Sequence, residues 1–350
     1  MTPAQPPPPR LTRAGVGMLR FEPEARDLAY TFGAVPAWAE LPTGVPVRVW
    51  TQDCFGGAVR TVDDLPSRVC RFPYLNPVTG PFHVLGAEPG DTLAVHLVSL
   101  TPARRWGMSS TFPHFGALTS TALTATLQPA LEERVWRYDI DLPSRTVRYT
   151  ARRSDLVVDL PLEPMLGTIG VAPAAGEVRM SIVPDRHGGN LDCPQIRPGT
   201  TVYLPVNVDG ALLAVGDGHA RQGDGEASGV AVECAMDTVL IVDVIKGQPT
   251  PWPRLETDGW VGSVGATRPL EDAYRAGQVD LVGWVGELTG LDELDAYQLV
   301  AQAGQARVGN VCDPNYTMLA RLPKTVLPGA TAYGGAHARL RALAALADPR

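Results

Sequence analysis

The sequence predicts a mainly β protein with α+β elements: a β-sandwich-like core, with helices concentrated in the C-terminal third. Three observations predict it. Short apolar runs rich in Val, Leu, Ile and Thr, each bounded by Gly, Pro or Asp, recur through residues 11–250. Glycine and proline are abundant, 36 and 33 of 350 residues, without low complexity, which means many turns between short elements. Helical spacing of apolar residues appears only late. Strands first and helices afterwards disfavour a doubly wound sheet.

In chain order, residues 1–10 form a Pro-rich tail expected to be disordered. A β-rich catalytic core is expected over 11–250, with strands at 45–51, 92–100, 146–150, 178–184, 201–208 and 238–245. Glu88-Pro-Gly-Asp91 and Arg197-Pro-Gly-Thr200 introduce two of these. In a type II turn Pro sets φ at one central position and Gly accepts φ > 0 at the next. A C-terminal α+β part over 251–350 is expected to pack on the core. Its helix signals are Pro269 followed by Glu271 and Asp272, apolar spacing over 291–308, and the Ala- and Leu-rich run 336–347.

Composition excludes several classes. A formal net charge of −7 with no basic block argues against a nucleic-acid partner, because phosphate binding needs a basic surface. No apolar run approaches the ~18 residues of a membrane span, and no signal-peptide core opens the chain. Cys54, Cys70, Cys193, Cys234 and Cys312 are scattered, odd in number and free of C-x-x-C, which fits a reducing compartment. The expected location is cytoplasmic. The chain has no G-x-G-x-x-G after a strand, no Walker lysine and no G-x-S-x-G elbow, so nucleotide binding and serine nucleophiles are poorly supported.

The densest chemistry lies in three Gly-rich segments: His187-Gly-Gly-Asn-Leu-Asp192, Gly216-Asp-Gly-His219 and Gln222-Gly-Asp-Gly-Glu226. Clustered His and carboxylate suit a metal ion or an acid–base pair. His187 sits at an expected strand end and serves either a ligand or its own turn; Asn190 and Asp192 face the same choice with an Asx turn. Asp217 and His219, two apart on an extended segment, share a face and can address one ion. Asp224 and Glu226 add oxygens that also suit calcium, though no EF-hand pattern is present. Glu233 alternates with Val232 and Cys234 and has Ala231 and Ala235 as same-face neighbours. Facing inward it is a general acid or base with a raised pKa; facing outward it is an edge-strand surface residue. Asp53 ends a strand before Cys54-Phe-Gly-Gly57. Cys54 and Cys193 read as structural thiols, and His96, alternating within a strand, as a structural histidine.

Taken in order, these segments resemble the acetamidase/formamidase family. The resemblance is carried by Thr51-Gln-Asp53 with Phe55-Gly-Gly57, Asn76-Pro-Val-Thr-Gly-Pro81 and Gly86-Ala-Glu-Pro-Gly-Asp91. It continues through His187–Asp192, Tyr203-Leu-Pro-Val206, Gly216–His219 and Gln222–Glu226 to Glu233, covering roughly 45–245. It implies hydrolysis of a small aliphatic amide, formamide or acetamide, to carboxylate and ammonia. It also implies a mainly β fold, a homo-oligomer, and a divalent metal, with zinc preferred and calcium as the alternative. By motif it points to His187, Asp192, Asp217 and His219 as metal ligands. Glu233 is then the general base, Asn190 or a Gly backbone N–H the oxyanion donor, and Asp53 a further catalytic carboxylate. Ala227-Ser228 and Cys193-Pro194 depart from the family pattern, which bears on the substrate. Two other readings stay open: hydrolysis of another small C–N compound, urea-like or guanidino, and a non-catalytic β-sandwich binding module holding calcium.

Overall fold

The computed structural model describes residues 18–119 and 130–347; the Pro-rich tail lies outside them. Two large sheets face each other, and a helical layer covers the outer side of one. The nine-stranded sheet runs in the order Leu19–Phe21, Pro46–Thr51, Met236–Ile245, Thr92–Pro102, Thr201–Pro205, Arg254–Glu256, Trp260–Thr267, Tyr316–Pro323, Gln305–Val308. The second sheet runs Val157–Pro161, Thr146–Thr150, Arg134–Asp141, Trp106–Thr111, Val232–Glu233, Leu213–Arg221, Met165–Gly170, Gly188–Asn190. Val78–Val84 pairs with Leu213–Arg221 and carries Ala39–Leu41 on its other side.

Alternation along Thr92–Pro102 explains the layering. Leu93, Val95 and Leu97 point into the core between the sheets, where they meet Phe82, Leu166, Ile169, Leu213 and Val215. Ala94 and Val98 point the other way, into a second core built with Leu281, Trp284, Val300 and Leu340 of the helices. Both faces of this strand are buried, so it reads as a near-continuous apolar run.

Most expected elements appear with shifted ends, and three differ. The run 178–184 yields only the two-residue strand Arg179–Met180, paired with Thr31–Phe32. The expected helix at 291–308 stops at Ala303; Gly304 ends it, and Gln305–Val308 joins the nine-stranded sheet. Gly216–His219, which belongs to none of the expected strands, lies inside the strand Leu213–Arg221. Its glycines serve close packing: a Cβ on Gly218 would sit 2.8 Å from the carbonyl oxygen of Cys234 on the neighbouring strand. Arg254–Glu256, Trp260–Thr267, Tyr316–Pro323 and Gln305–Val308 extend the nine-stranded sheet.

His96 sits on the helix-facing side of its strand. Its Nδ1 is 2.9 Å from Thr201 Oγ1, which lies 2.8 Å from His337 Nδ1; His337 Nε2 is 3.3 Å from Asp258, itself paired with Arg341. Burial, reinforced by the neighbouring His337, pulls the His96 pKa down to about 4 from its ordinary 6.5. The unfolded chain therefore binds the proton more readily than the folded one between those values. Stability is fully present above pH 6.5 and is lost as pH falls towards 4, by on the order of 3 kcal/mol from this group. His96→Gln is expected to flatten the decline in unfolding free energy between pH 6.5 and 4.5, measured by urea titration. Parallel curves for the variant and the parent would show that His96 is not held neutral.

Candidate metal and active site

The site is assembled on one face of the second sheet and from the loops beside it. Asp217 and His219 project from Leu213–Arg221, and His219 is the cross-strand partner of Glu233. Asp192 follows Gly188–Asn190, Thr168 lies on Met165–Gly170, and Asn76 precedes Val78–Val84. Two further loops close the cluster. The 222–229 loop is pinned to the 309–313 loop by Gly225 N–H donating to Val308 O and Val311 N–H donating to Gly225 O. That pinning brings Glu226 and Asp313 together.

At the centre, His219 Nε2 lies 3.3 Å from Asp217 Oδ1, 3.3 Å from Glu233 Oε2 and 4.0 Å from Asp192 Oδ1. Among the described residues, none of those three buried oxygens has a hydrogen-bond partner. The tautomer of His219 follows from its other nitrogen. Gln222 spends its amide N–H groups on the carbonyls of Asp192 (2.7 Å) and Gly309 (3.0 Å), which turns its Oε1 towards His219 Nδ1 at 2.9 Å. An acceptor there requires Nδ1–H, leaving a lone pair on Nε2 in the neutral ring. A lone pair then faces three unpartnered carboxylate oxygens. Such an arrangement needs a positive charge between them: a proton or a metal ion.

Space is reserved for it. A Cβ on Gly167 would lie 2.5 Å from Asp192 Oδ1 and 2.9 Å from the His219 ring. Asn76, Asp192, Asp217 and Glu226 all have φ between 43° and 57°, in the left-handed region. Asn and Asp tolerate it; a Glu there is uncommon, and strained backbone of this kind gathers at functional sites.

The electrostatics are those of buried acid. Asp192, Asp217, Glu226, Glu233 and Asp313 are all buried. Burial, followed by repulsion from the neighbouring carboxylates, raises Asp192 well above the usual range. Burial likewise raises Glu226 well above it, and pushes Glu233 and Asp313 up to about 7. Asp217 differs: burial opposes its ionisation, but the His219 imidazole and hydrogen bonds around it hold it low. For His219, burial is outweighed by Glu233 and Asp217, so with side chains alone the ring prefers to be protonated. A divalent ion can replace that proton.

The expected site residues divide. Asp192, Asp217, His219 and Glu233 converge, and Asn190 lies among them. Asn190 already donates both N–H groups, to Asp192 Oδ2 and Asp313 Oδ2 at 2.7 Å each, and accepts from Asn76 and Thr168. It orients carboxylates and has no N–H left for an oxyanion. Asp53 caps Phe55 and Gly57 N–H and pairs with Arg104 at 2.6 Å, which fixes the turn carrying Cys54. Cys54 Sγ itself lies within 4.8 Å of oxygens of Asp217 and Glu233. His187 is placed elsewhere. Gly188 and Gly189, at φ 90° and 89°, turn the chain between it and Asn190. Its ring packs edge-on against Phe32 at 5.1 Å and lines a different hollow with Arg179 and Asp185. Asp224 is at the surface, paired with Arg307 at 2.8 Å.

Sequence reasoning missed Asp313 and Thr168, and gave no role to Asn76 and Gln222 although they open two of the quoted segments. Asp313 belongs to the turn-rich Asn310-Val-Cys-Asp-Pro-Asn315, which reads as a connecting loop; only tertiary contact reveals it. Of the cluster, Asn76, Asn190, Asp217, Glu226, Glu233 and Asp313 line a pocket of about 280 Å³ together with Phe55, Phe72, Phe112 and Phe115. A larger hollow, about 830 Å³, lies between the helices Leu270–Thr289 and Glu293–Ala303, away from all these groups.

Sequence and fold both match known proteins. The sequence profile of the Acetamidase/Formamidase family matches residues 31–179 and 174–327. The structure is similar to an acetamidase from Yersinia enterocolitica (42% identity, TM-score 0.81), over 87% of this chain and 90% of that one. It is also similar to an acetamidase from Bacillus halodurans (31% identity, TM-score 0.77), over 88% and 97%. The acetamidase of Mycolicibacterium smegmatis is 27% identical over 61% of this chain, a match spanning 64% of that protein's length. With the profile covering both sheets and the loops of the acidic cluster, this chain belongs to the acetamidase/formamidase family.

Proposed function

We propose that the protein hydrolyses neutral primary amides to carboxylate and ammonia, at a divalent ion held by Asp192, Asp217 and His219. The observation that carries this reading is His219 Nε2, its ring oriented through Nδ1 by Gln222, set within 4.0 Å of buried carboxylate oxygens of Asp192, Asp217 and Glu233. An imidazole nitrogen among carboxylates suits zinc better than calcium, which takes oxygen ligands alone. When bound, such an ion supplies Lewis acidity, polarising the amide carbonyl and easing deprotonation of water.

The chain's own groups do the rest. Glu233 is the general base: burial pushes its pKa up to about 7, and its Oε1 is anchored by the N–H of Ala231 at 2.9 Å while Oε2 is open to the site. A carboxyl poised near neutrality takes a proton from the attacking water and returns it to the departing nitrogen. Asn190 holds Asp192 and Asp313 in place, and Asn76 and Thr168 hold Asn190. Gln222 keeps the His219 lone pair directed at the cluster. The family relationship supports amide hydrolysis, since the relatives described above are named acetamidases.

Protein stripped of metal is expected to lose ammonia release from acetamide, to unfold at a lower temperature, and to recover both with zinc. Undiminished turnover after stripping, with metal content checked by atomic emission, would reject the metal reading. Glu233→Gln is expected to lower kcat by ~10²–10⁴ while metal content stays the same. Loss of the metal in that variant would make Glu233 a ligand instead. Gln222→Ala should weaken metal binding by ~10–100-fold, measured by competition with a chromophoric chelator, because the imidazole loses its orienting partner. Unaltered affinity would dismiss that orienting role.

A further inference from the structure

The pocket above the acidic floor is larger and more apolar than a one- or two-carbon amide requires. Its volume is about 280 Å³, roughly nine times the ~30 Å³ that a water molecule occupies in the liquid. The upper wall is Phe55, Phe72, Leu75, Phe112, Phe115 and Ile182. Phe55 and Phe112 lie with ring centroids 6.4 Å apart, and Phe112 meets Phe115 edge-on at 5.9 Å. The wall is built into the site. A Cβ on Gly229 would come within 2.5 Å of the Phe115 ring, so glycine at that position lets the ring lie against the loop that carries Glu226. Phe112, Phe115 and Leu75 are only half-buried, and Phe72 is 72% exposed at the rim. These faces have partners on one side alone. Formamide or acetamide would leave them in contact with water.

Charge narrows the choice further. The polar side chains of the lining are Cys54, Asn76, Asn190 and the carboxylates Asp217, Glu226, Glu233 and Asp313, and among the described residues no Lys or Arg lines the pocket. A substrate with its own carboxylate would be repelled, and a neutral one admitted. Resting on the hydrolytic reading above, we propose that the substrates are neutral primary amides with an aromatic or similarly bulky apolar acyl group. Arylacetamides represent this class, with the ring held by the phenylalanine wall and the amide at the acidic floor. The reaction is RCONH₂ + H₂O → RCOO⁻ + NH₄⁺: the C–N bond breaks, a C–O bond forms, and the water's protons go to the nitrogen.

The ring binds away from the bond that breaks, so its contribution belongs in KM more than in kcat. The test compares ammonia release from 2-phenylacetamide and acetamide by the metal-loaded protein. The expected result is a kcat/KM about thirtyfold higher for 2-phenylacetamide, carried by a lower KM; this is the factor that ~2 kcal/mol of buried phenyl surface yields. Phe72→Ala, at the exposed rim, and Phe112→Ala should each narrow the ratio between the two amides. Equal or better turnover of acetamide would overturn the substrate class and leave amide hydrolysis standing. If neither amide releases ammonia, calorimetric titration separates the two ideas. Binding of 2-phenylacetamide that exceeds acetamide and weakens in Phe112→Ala would uphold the apolar-acyl pocket while the hydrolytic reading falls. No preference in binding would overturn the pocket assignment as well.

Discussion

The structure turns on one unfavourable arrangement: five buried carboxylates gathered around one imidazole whose Nε2 faces three of them. A cluster of this kind cannot stay fully ionised in a dry interior without a cation. The neighbourhood is arranged to keep it from relaxing. Gln222 fixes the ring, Asn190 ties Asp192 to Asp313, and Asn76 and Thr168 immobilise Asn190 in turn. Gly167 withholds a side chain where one would fill the gap. Four cluster residues hold positive φ, strain that the surrounding sheet must offset.

The sandwich supplies the rigidity this needs. Leu213–Arg221 is paired on one side with Met165–Gly170 and on the other with Val78–Val84 and Val232–Glu233. Asp217 and His219 therefore sit on an element whose backbone groups are engaged along both edges, which suits a site whose side chains must not drift. The opposite side of the molecule does different work. The helices pack on the far face of the nine-stranded sheet, through Leu281, Trp284 and Leu340, and the histidine pair His96 and His337 lies in that layer. Yet the C-terminal segment also reaches the site, because Asp313 comes from the loop between two strands of that same sheet. Site and sandwich are one construction.

The pocket above the floor runs from acid at the bottom to phenylalanine at the mouth. That gradient fits a ligand with a polar, uncharged end and an apolar one. Glu226 and Val230 lie on the same loop, so one short segment contributes both an acidic oxygen to the floor and an apolar wall residue.

Residue pattern by itself determined the broad class. Apolar runs of strand length, Pro-Gly turns and late helical periodicity predict β-rich layers with terminal helices, because burial of alternating side chains is a local property of the chain. It also marked Asp217 and His219 by their two-residue spacing, Glu233 by its alternation with Val232 and Cys234, and Asp192 by its place in a Gly-rich segment with His187 and Asn190. What the pattern left undecided depends on contacts distant in sequence. His187 stands five residues before Asp192 but faces another hollow, because two glycines turn the chain between it and Asn190. Asp53 is drawn to Arg104, fifty-one positions away, and Asp313 joins Asn190 across 123 positions. The family resemblance was legible over 45–245, whereas the match extends to 327, where helices and edge strands carry fewer distinctive residues. Whether a given carboxylate becomes a ligand, a turn cap or a surface ion pair is decided by which partners the tertiary fold brings within about 3 Å, the range over which hydrogen bonds act. Spacing along the chain does not record that.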